Sequence, residues 1–295
     1  MTSYLGQLQE AAAAIIPVLK KLGVEQKYLN FNDVLEIPER FYPPSQSDSK
    51  FQAEQALGDW AENSVCDAIN RQGGGIRAVH YGANSKLFAE DEGFRDAYIA
   101  GIKQTCIEGK RSDLLILPAD VKADLDSTEL TVENSKSLVA KSLGGLEIRS
   151  SRLNADQYRK YQNERLKAGK KPSSLEPNIT VKVEDLVKVY LWNRLNNKPQ
   201  AYVQVFFDEI HGLSFIEILR YIGSGEKLRV EKHKRSAKTT IMIPISMGKK
   251  IGSVTIPAEF DVVHNVTLNG RHDIFARPTG GNVEVDIQLV EQLLQ

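Results

Sequence analysis

Apolar and polar positions divide the chain into three textures. Residues 3–36 carry the spacing of one or two helices, broken near Leu22-Gly23, and the Pro- and Ser-rich stretch Glu39 to Ser49 reads as a loop. From Lys50 to Gln72 the residues Ala53, Ala56, Leu57, Trp60, Ala61, Val65, Ala68 and Ile69 recur every three or four places, the spacing of one buried helix face. Gly73-Gly74-Gly75 ends that helix before a strand at Ile76 to Tyr81, and no Lys-Ser/Thr follows to make the triplet a phosphate loop. Helices are then predicted at Phe94–Ile107, Val132–Leu143, Asn154–Ala168, Thr180–Leu195 and Phe215–Ile222. Between them, Ser112–Leu117, Leu146–Ser150 and Ala201–Phe207 read as strands, the first of them central. Beyond residue 226 the texture becomes short strands at Lys227–Val230, Thr239–Ile245, Ile251–Ile256, Phe260–Leu268, Asp273–Ala276 and Val283–Ile287, with helical character at Asp286–Gln295.

The expected fold is α/β: a mixed central β-sheet flanked by helices, with N-terminal helices and a β-rich C-terminal segment. The expected divisions are a helical segment over 1–49, an α/β core over 50–223 and the β-rich segment over 224–295, which either shares the core's domain or stands apart.

Composition narrows the class. At 295 residues the chain buries a sizeable core, and 41% hydrophobic with 26% charged residues is ordinary for a soluble protein. The apolar patch Ala11–Val18 is interrupted by Pro17 and lacks the basic flank of a secretory signal. No stretch approaches the roughly 20 apolar residues that span a bilayer, so no membrane partner is expected. Cys66 and Cys106 both fall within predicted helices as small core residues, which fits a reducing, cytoplasmic setting and makes Asn178-Ile179-Thr180 irrelevant as a glycosylation match. With 38 basic and 38 acidic residues the net charge is zero, which argues against a protein that merely coats nucleic acid. A locally basic cleft is still compatible, because steering follows charge distribution. The runs Lys167 to Lys171 and Lys232 to Lys238 are candidates for phosphate contact, or else solvated turns.

Two residues carry the chemical signal. Asp113 sits at the tip of Ser112-Asp113-Leu114-Leu115-Ile116-Leu117, and Glu147 lies within Leu146-Glu147-Ile148-Arg149-Ser150-Ser151. An ionised carboxylate in a buried strand costs several kcal/mol unless a partner compensates. Two such intrusions suggest a shared cation; the alternative is a pair of unrelated strand-end acids that cap or form ion pairs. Magnesium accepts hard oxygen donors and keeps several waters, so two acids plus a substrate phosphate suffice to hold it. Such an ion activates water and neutralises developing charge in phosphodiester hydrolysis. Arg149 points to the same face as Glu147, because strand side chains alternate with period two.

These elements resemble the PD-(D/E)xK nuclease superfamily, in particular type II restriction endonucleases of the AccI-like group. The matching residues are Ser112-Asp113 ahead of an apolar run, Glu147-Ile148-Arg149-Ser150-Ser151 on a second strand, the helix around Gly58-Asp59-Trp60-Ala61-Glu62, and the segment from Thr180 to Asp208. The resemblance covers about residues 50–222 and implies a restriction-endonuclease-like core, Mg2+ as cofactor, double-stranded DNA as partner and a homodimer. It implies Asp113 and Glu147 as metal ligands, with Glu62 supporting them; otherwise Glu62 is a structural acid paired with an arginine. Ser112 stands where the pattern has proline, and Arg149 where it has lysine. A guanidinium stays protonated, so Arg149 stabilises charge but is a poor base. Lys182 is the candidate for a displaced lysine, with a solvated first-turn residue as the alternative, and Glu184 is placed to reach the same spot.

DNA contacts are expected from Arg152, Lys170, Lys171, Lys234, Arg235, Lys238 and Arg271. Gln204 is a candidate to touch the site, though a hydrogen-bonded core glutamine is the commoner role. His211 is read as lying in a turn, and the five histidines show no zinc spacing. Ser150 and Ser151 lack the elbow of a hydrolase nucleophile. Two other readings keep the same fold: a structure-specific repair nuclease, and a catalytically silent DNA- or protein-binding module, to which Arg149 lends support.

Overall fold

The structure, a computed structural model, describes residues 3–31, 35–45, 48–82, 87, 89, 91–121, 132–226, 228–232, 239–267 and 270–295. Its helices are α1 (Tyr4–Lys21), α2 (Ser49–Arg71), α3 (Phe94–Glu108), α4 (Val132–Lys141), α5 (Ala155–Lys167), α6 (Val183–Asn196), α7 (Phe215–Ser224) and α8 (Ile287–Leu293). Its strands are β1 (Ile76–His80), β2 (Leu114–Pro118), β3 (Gly144–Ser150), β4 (Asn178–Lys182), β5 (Gln200–Val205), β6 (Glu209–Ser214), β7 (Arg229–Lys232), β8 (Thr239–Pro244), β9 (Lys249–Ile256), β10 (Glu259–Val266), β11 (His272–Thr279) and β12 (Asn282–Val285). The architecture is the mixed α/β arrangement expected, with a helix first and strands toward the C-terminus.

A seven-stranded sheet in the order β1-β2-β3-β5-β6-β9-β12 forms the centre. β3 and β5 run parallel and their neighbours pair antiparallel. β2 is one strand in from the edge. Its Leu114, Leu115, Ile116 and Leu117 are all fully buried, each contributing about 2 kcal/mol of apolar burial. Alternate residues serve opposite faces. Leu114, Ile116, Leu146, Ile148, Ala201 and Val203 pack against α2 and α8, while Leu115 and Leu117 join Val79, Tyr81 and Trp192 on the other side. A third cluster gathers α1, α6 and α7 around Tyr202, Phe206 and Phe215.

α2 begins where expected: Asp48 accepts a hydrogen bond from the Phe51 amide at 2.7 Å, and Leu57, Trp60, Ala61, Val65, Ala68 and Ile69 face the sheet. The C-terminal residues are woven into the rest of the fold. β9 and β12 complete the large sheet, and β7 and β8 form a second sheet with β4. β10 and β11 make a hairpin that lies along α2, where Trp60 Nε1 donates to the Gly280 carbonyl at 3.0 Å.

Two local expectations are corrected. Thr180–Leu195 is not one helix: Ile179 and Val181 point inward from β4, which pairs with β8, and the helix starts only at Val183. The alternation Ile-Thr-Val-Lys is a strand pattern, and the apolar positions of α6 obscured where it stops. The stretch around His211 is not a turn. Glu209–Ser214 is β6, in the middle of the large sheet, and its polar residues hide a strand that is buried along most of its length.

Two close approaches fix the elements beneath β2 and β3. Gly109 ends α3 at φ +79°, and a Cβ there would lie 2.3 Å from the Trp192 amide nitrogen of α6. Gly145 leaves room for Ser112, whose Oγ would be 2.0 Å from an added Cβ. Gly109→Ala is therefore expected to destabilise the protein by about 3 kcal/mol or more in urea unfolding, since strain and overpacking add. Gly101→Ala, inside α3 with open space around it, should be neutral or stabilising by up to about 1 kcal/mol. Similar midpoints for the two variants would contradict this packing.

Candidate active site

The β2–β3 pairing brings the predicted acids together. Leu114 pairs with Leu146, and carrying that register one residue further sets Asp113 opposite Glu147 on the same face of the sheet. Asp113 Oδ2 accepts the Ile148 amide at 2.6 Å, which fixes the carboxyl at the strand end. Its backbone carbonyl accepts from the Tyr81 amide at 2.8 Å, tying it to the end of β1.

Glu147 is the most buried acid of the group, 2% exposed. Its Oε1 lies 2.5 Å from Lys110 Nζ and 3.0 Å from Arg149 Nη2. Asp185, in the first turn of α6, closes the arrangement with Oδ2 3.3 Å from Lys110 Nζ and 3.4 Å from Arg149 Nη2. Two acids and two cations thus form a balanced quartet. The Arg149 guanidinium also stands 5.7 Å from the Tyr202 ring, and Gln204 Nε2 donates to the Arg149 carbonyl at 3.2 Å. Among the described residues, Glu147 Oε2, Arg149 Nε and the Tyr202 hydroxyl are buried without a hydrogen-bond partner.

The proton affinities follow from this placement. Burial works against the charge on Lys110, but Glu147 and Asp185 hold its ammonium above the ordinary range. Burial likewise opposes the Arg149 charge and is outweighed by Glu147, Tyr202, Asp185 and Asp113. Burial would raise the Asp185 carboxyl, yet Lys110 and Arg149 bring it below its usual value. Asp113 is the reverse case: burial first, then the charges of Glu147 and Glu62, raise it well above the carboxylate range against the pull of Lys110 and the Ile148 amide. Glu62, on α2, is pushed up to about 7 by burial, Asp59 and Glu147.

Asp113 and Glu62 are therefore surplus acids beside an already neutral quartet, their charged forms disfavoured by burial and by the neighbouring carboxylates. That surplus, an unpartnered buried oxygen on Glu147 and an all-oxygen donor set together fit a hard divalent cation. No group of three metal-ligating side chains is assembled among the described residues.

The remaining predicted residues are spread around this core. Lys182 ends β4, exposed to solvent, and its charge helps lower Asp185. Glu184 turns to the backbone instead, accepting the Thr239 amide at 2.7 Å. Arg152 pairs with Glu54 at 3.7 Å on the surface. Lys170 and Lys171 are exposed after α5, and Arg271 pairs with Asp273 at 2.8 Å at the hairpin. Lys234, Arg235 and Lys238 lie outside the described residues. His211 is buried in β6, with Nε2 3.2 Å from Glu209, and burial lowers its proton affinity.

Lys110 and Asp185 are the residues that sequence reasoning missed. Lys110 sits three places before Asp113, in the connection from α3 to β2 whose only signal is Gly109; Asp185 reads as an ordinary first-turn acid.

These acids and cations converge at one end of the mixed sheet. The family model described as AccI restriction endonuclease matches residues 22–171 and 166–295, and the chain belongs to that family. No curated protein and no solved structure matches the chain. The protein is thus a restriction endonuclease, a hydrolase whose substrate is DNA. No helix among the described residues is long and apolar enough to cross a membrane.

The raised Glu62 carboxyl has a stability signature. Below its usual value near 4.5 the group is protonated folded and unfolded alike; as pH rises toward about 7 the unfolded chain releases the proton first, and stability is lost. Glu62→Gln removes that loss. In EDTA, denaturant titrations should find Glu62→Gln more stable than wild type at pH 8 by roughly 1–3 kcal/mol, with the gap shrinking at pH 5. A pH-independent gap would contradict the assigned electrostatics.

Proposed function

We propose that the protein is a Mg2+-dependent type II restriction endonuclease of the PD-(D/E)xK kind that cleaves double-stranded DNA at a specific sequence. The observation that carries this reading is the hydrogen bond from the Ile148 amide to Asp113 Oδ2 at 2.6 Å, which fixes that carboxyl beside Glu147 with Glu62 also close enough to raise it. Asp113 and Glu147 would hold the ion, and Glu62 would add its charge to theirs. A bound divalent cation supplies an activated water and neutralises charge on the phosphate oxygens.

The chain's own residues set up the rest. The Ile148 amide orients the Asp113 carboxyl. Lys110 and Arg149, both held protonated, place positive charge beside the position of the scissile phosphate and stabilise the pentavalent oxyanion. Arg149 cannot exchange a proton at neutral pH, so its part is electrostatic. Lys110 Nζ lies 2.5 Å from Glu147 Oε1, which makes Lys110 the candidate for the displaced lysine.

A cytoplasmic enzyme acting as a homodimer completes the reading, since a two-fold dimer matches a palindromic site. The outward face of the β10–β11 hairpin supports self-association: Phe260, Val262, Val266 and Ile274 are 55%, 78%, 58% and 59% exposed there.

Plasmid DNA incubated with the protein and MgCl2 should give discrete bands that EDTA abolishes. Asp113→Asn and Glu147→Gln should each lower cleavage by at least about a hundredfold while DNA retention on gels survives, because phosphate contacts lie elsewhere. Cleavage that persists in either variant contradicts the assignment, and a smear dependent on DNA structure returns the repair-nuclease reading.

A further inference from the structure

Asp185 belongs to neither β2 nor β3, yet it completes the charge cluster. α6 is fixed beneath the site by the Gly109 contact and by the Lys110 amide, which donates to the Lys188 carbonyl at 2.9 Å. Asp185 Oδ2 then meets the same two cations, at 3.3 and 3.4 Å, that meet Glu147 Oε1 at 2.5 and 3.0 Å. Its neighbour Glu184 serves the backbone of β8. The hydrogen-bonding partners of the Asp185 side chain among the described residues are these two cations alone. The positive end of α6 favours an anion at this position.

Without Asp185, an ammonium and a guanidinium would rest on one carboxylate. With it, the two cations are shared between two acids, and Glu147 Oε2 stays buried without a hydrogen-bond partner among the described residues. We propose that Asp185 is a positioning residue that anchors Lys110 and Arg149 so that Glu147 keeps a carboxylate oxygen for a divalent cation. This inference rests on the metal-dependent reading above. Asp185→Asn would leave the cluster one charge more positive, within several Å of the bound ion. At an effective dielectric near 20, such a charge weakens binding of a dication by about tenfold or more.

The test is thermal unfolding of the full chain in rising MgCl2 without DNA, reading the concentration that gives half the maximal increase in Tm. Wild type should show a saturable increase that Asp113→Asn abolishes. Asp185→Asn should need about tenfold more Mg2+, while Asp185→Glu, which keeps the charge, should stay close to wild type. Asp185→Asn combined with Lys110→Met restores the charge balance and should move the half-point back toward wild type. A purely structural aspartate predicts no such rescue. An unchanged half-point in Asp185→Asn overturns the proposal and leaves the metal site standing. If that variant does not fold, a tenfold weaker response of the double variant overturns it instead. A wild type without any Mg2+-dependent rise overturns both the proposal and the metal reading.

Discussion

The antiparallel pairing of β2 with β3 is the constraint on which the site depends. The Leu114–Leu146 register and the hydrogen bond from the Ile148 amide to Asp113 Oδ2 bring the Asp113 carboxyl beside Glu147. β2 is buried on both faces, its four aliphatic side chains alternating between two apolar clusters. A carboxylate pair mounted on rigid strands keeps its spacing through binding and turnover, as a pair on loops would not.

Electrostatics sets these two acids apart from each other. Lys110, Arg149, Glu147 and Asp185 neutralise one another, so buried charge is tolerated inside the fold. Asp113 and Glu62 do not share in that balance; burial first, then the neighbouring carboxylates, raises their proton affinities. On the proposed reading, a bound cation would favour the charged forms of both acids.

Much of this was legible in the sequence. α2 announced itself through the spacing from Leu57 to Ile69, and β2, β3 and β5 through their apolar runs, which sufficed for the fold class. Asp113 and Glu147 stood out because acids are expensive in such runs. β4 and β6 were harder. β4 leads without a break into α6, and β6 carries Glu209, His211 and Gly212 at positions that a pattern reader expects to be apolar. Glu209 is accommodated there because Arg159 Nη1 lies 2.6 Å away. Lys110 and Asp185 could not be found by spacing, since what unites them with Glu147 is the packing of α6 against the end of α3. Tertiary contact of that kind leaves no periodic trace.

The most direct test of the shared cation is crystallographic. Crystals of the wild-type protein soaked in MnCl2 and measured at a wavelength where manganese scatters anomalously should show a peak between the carboxylates of Asp113 and Glu147. A peak elsewhere, or Lys110 still seated on Glu147 with no anomalous density at saturating Mn2+, would contradict the account.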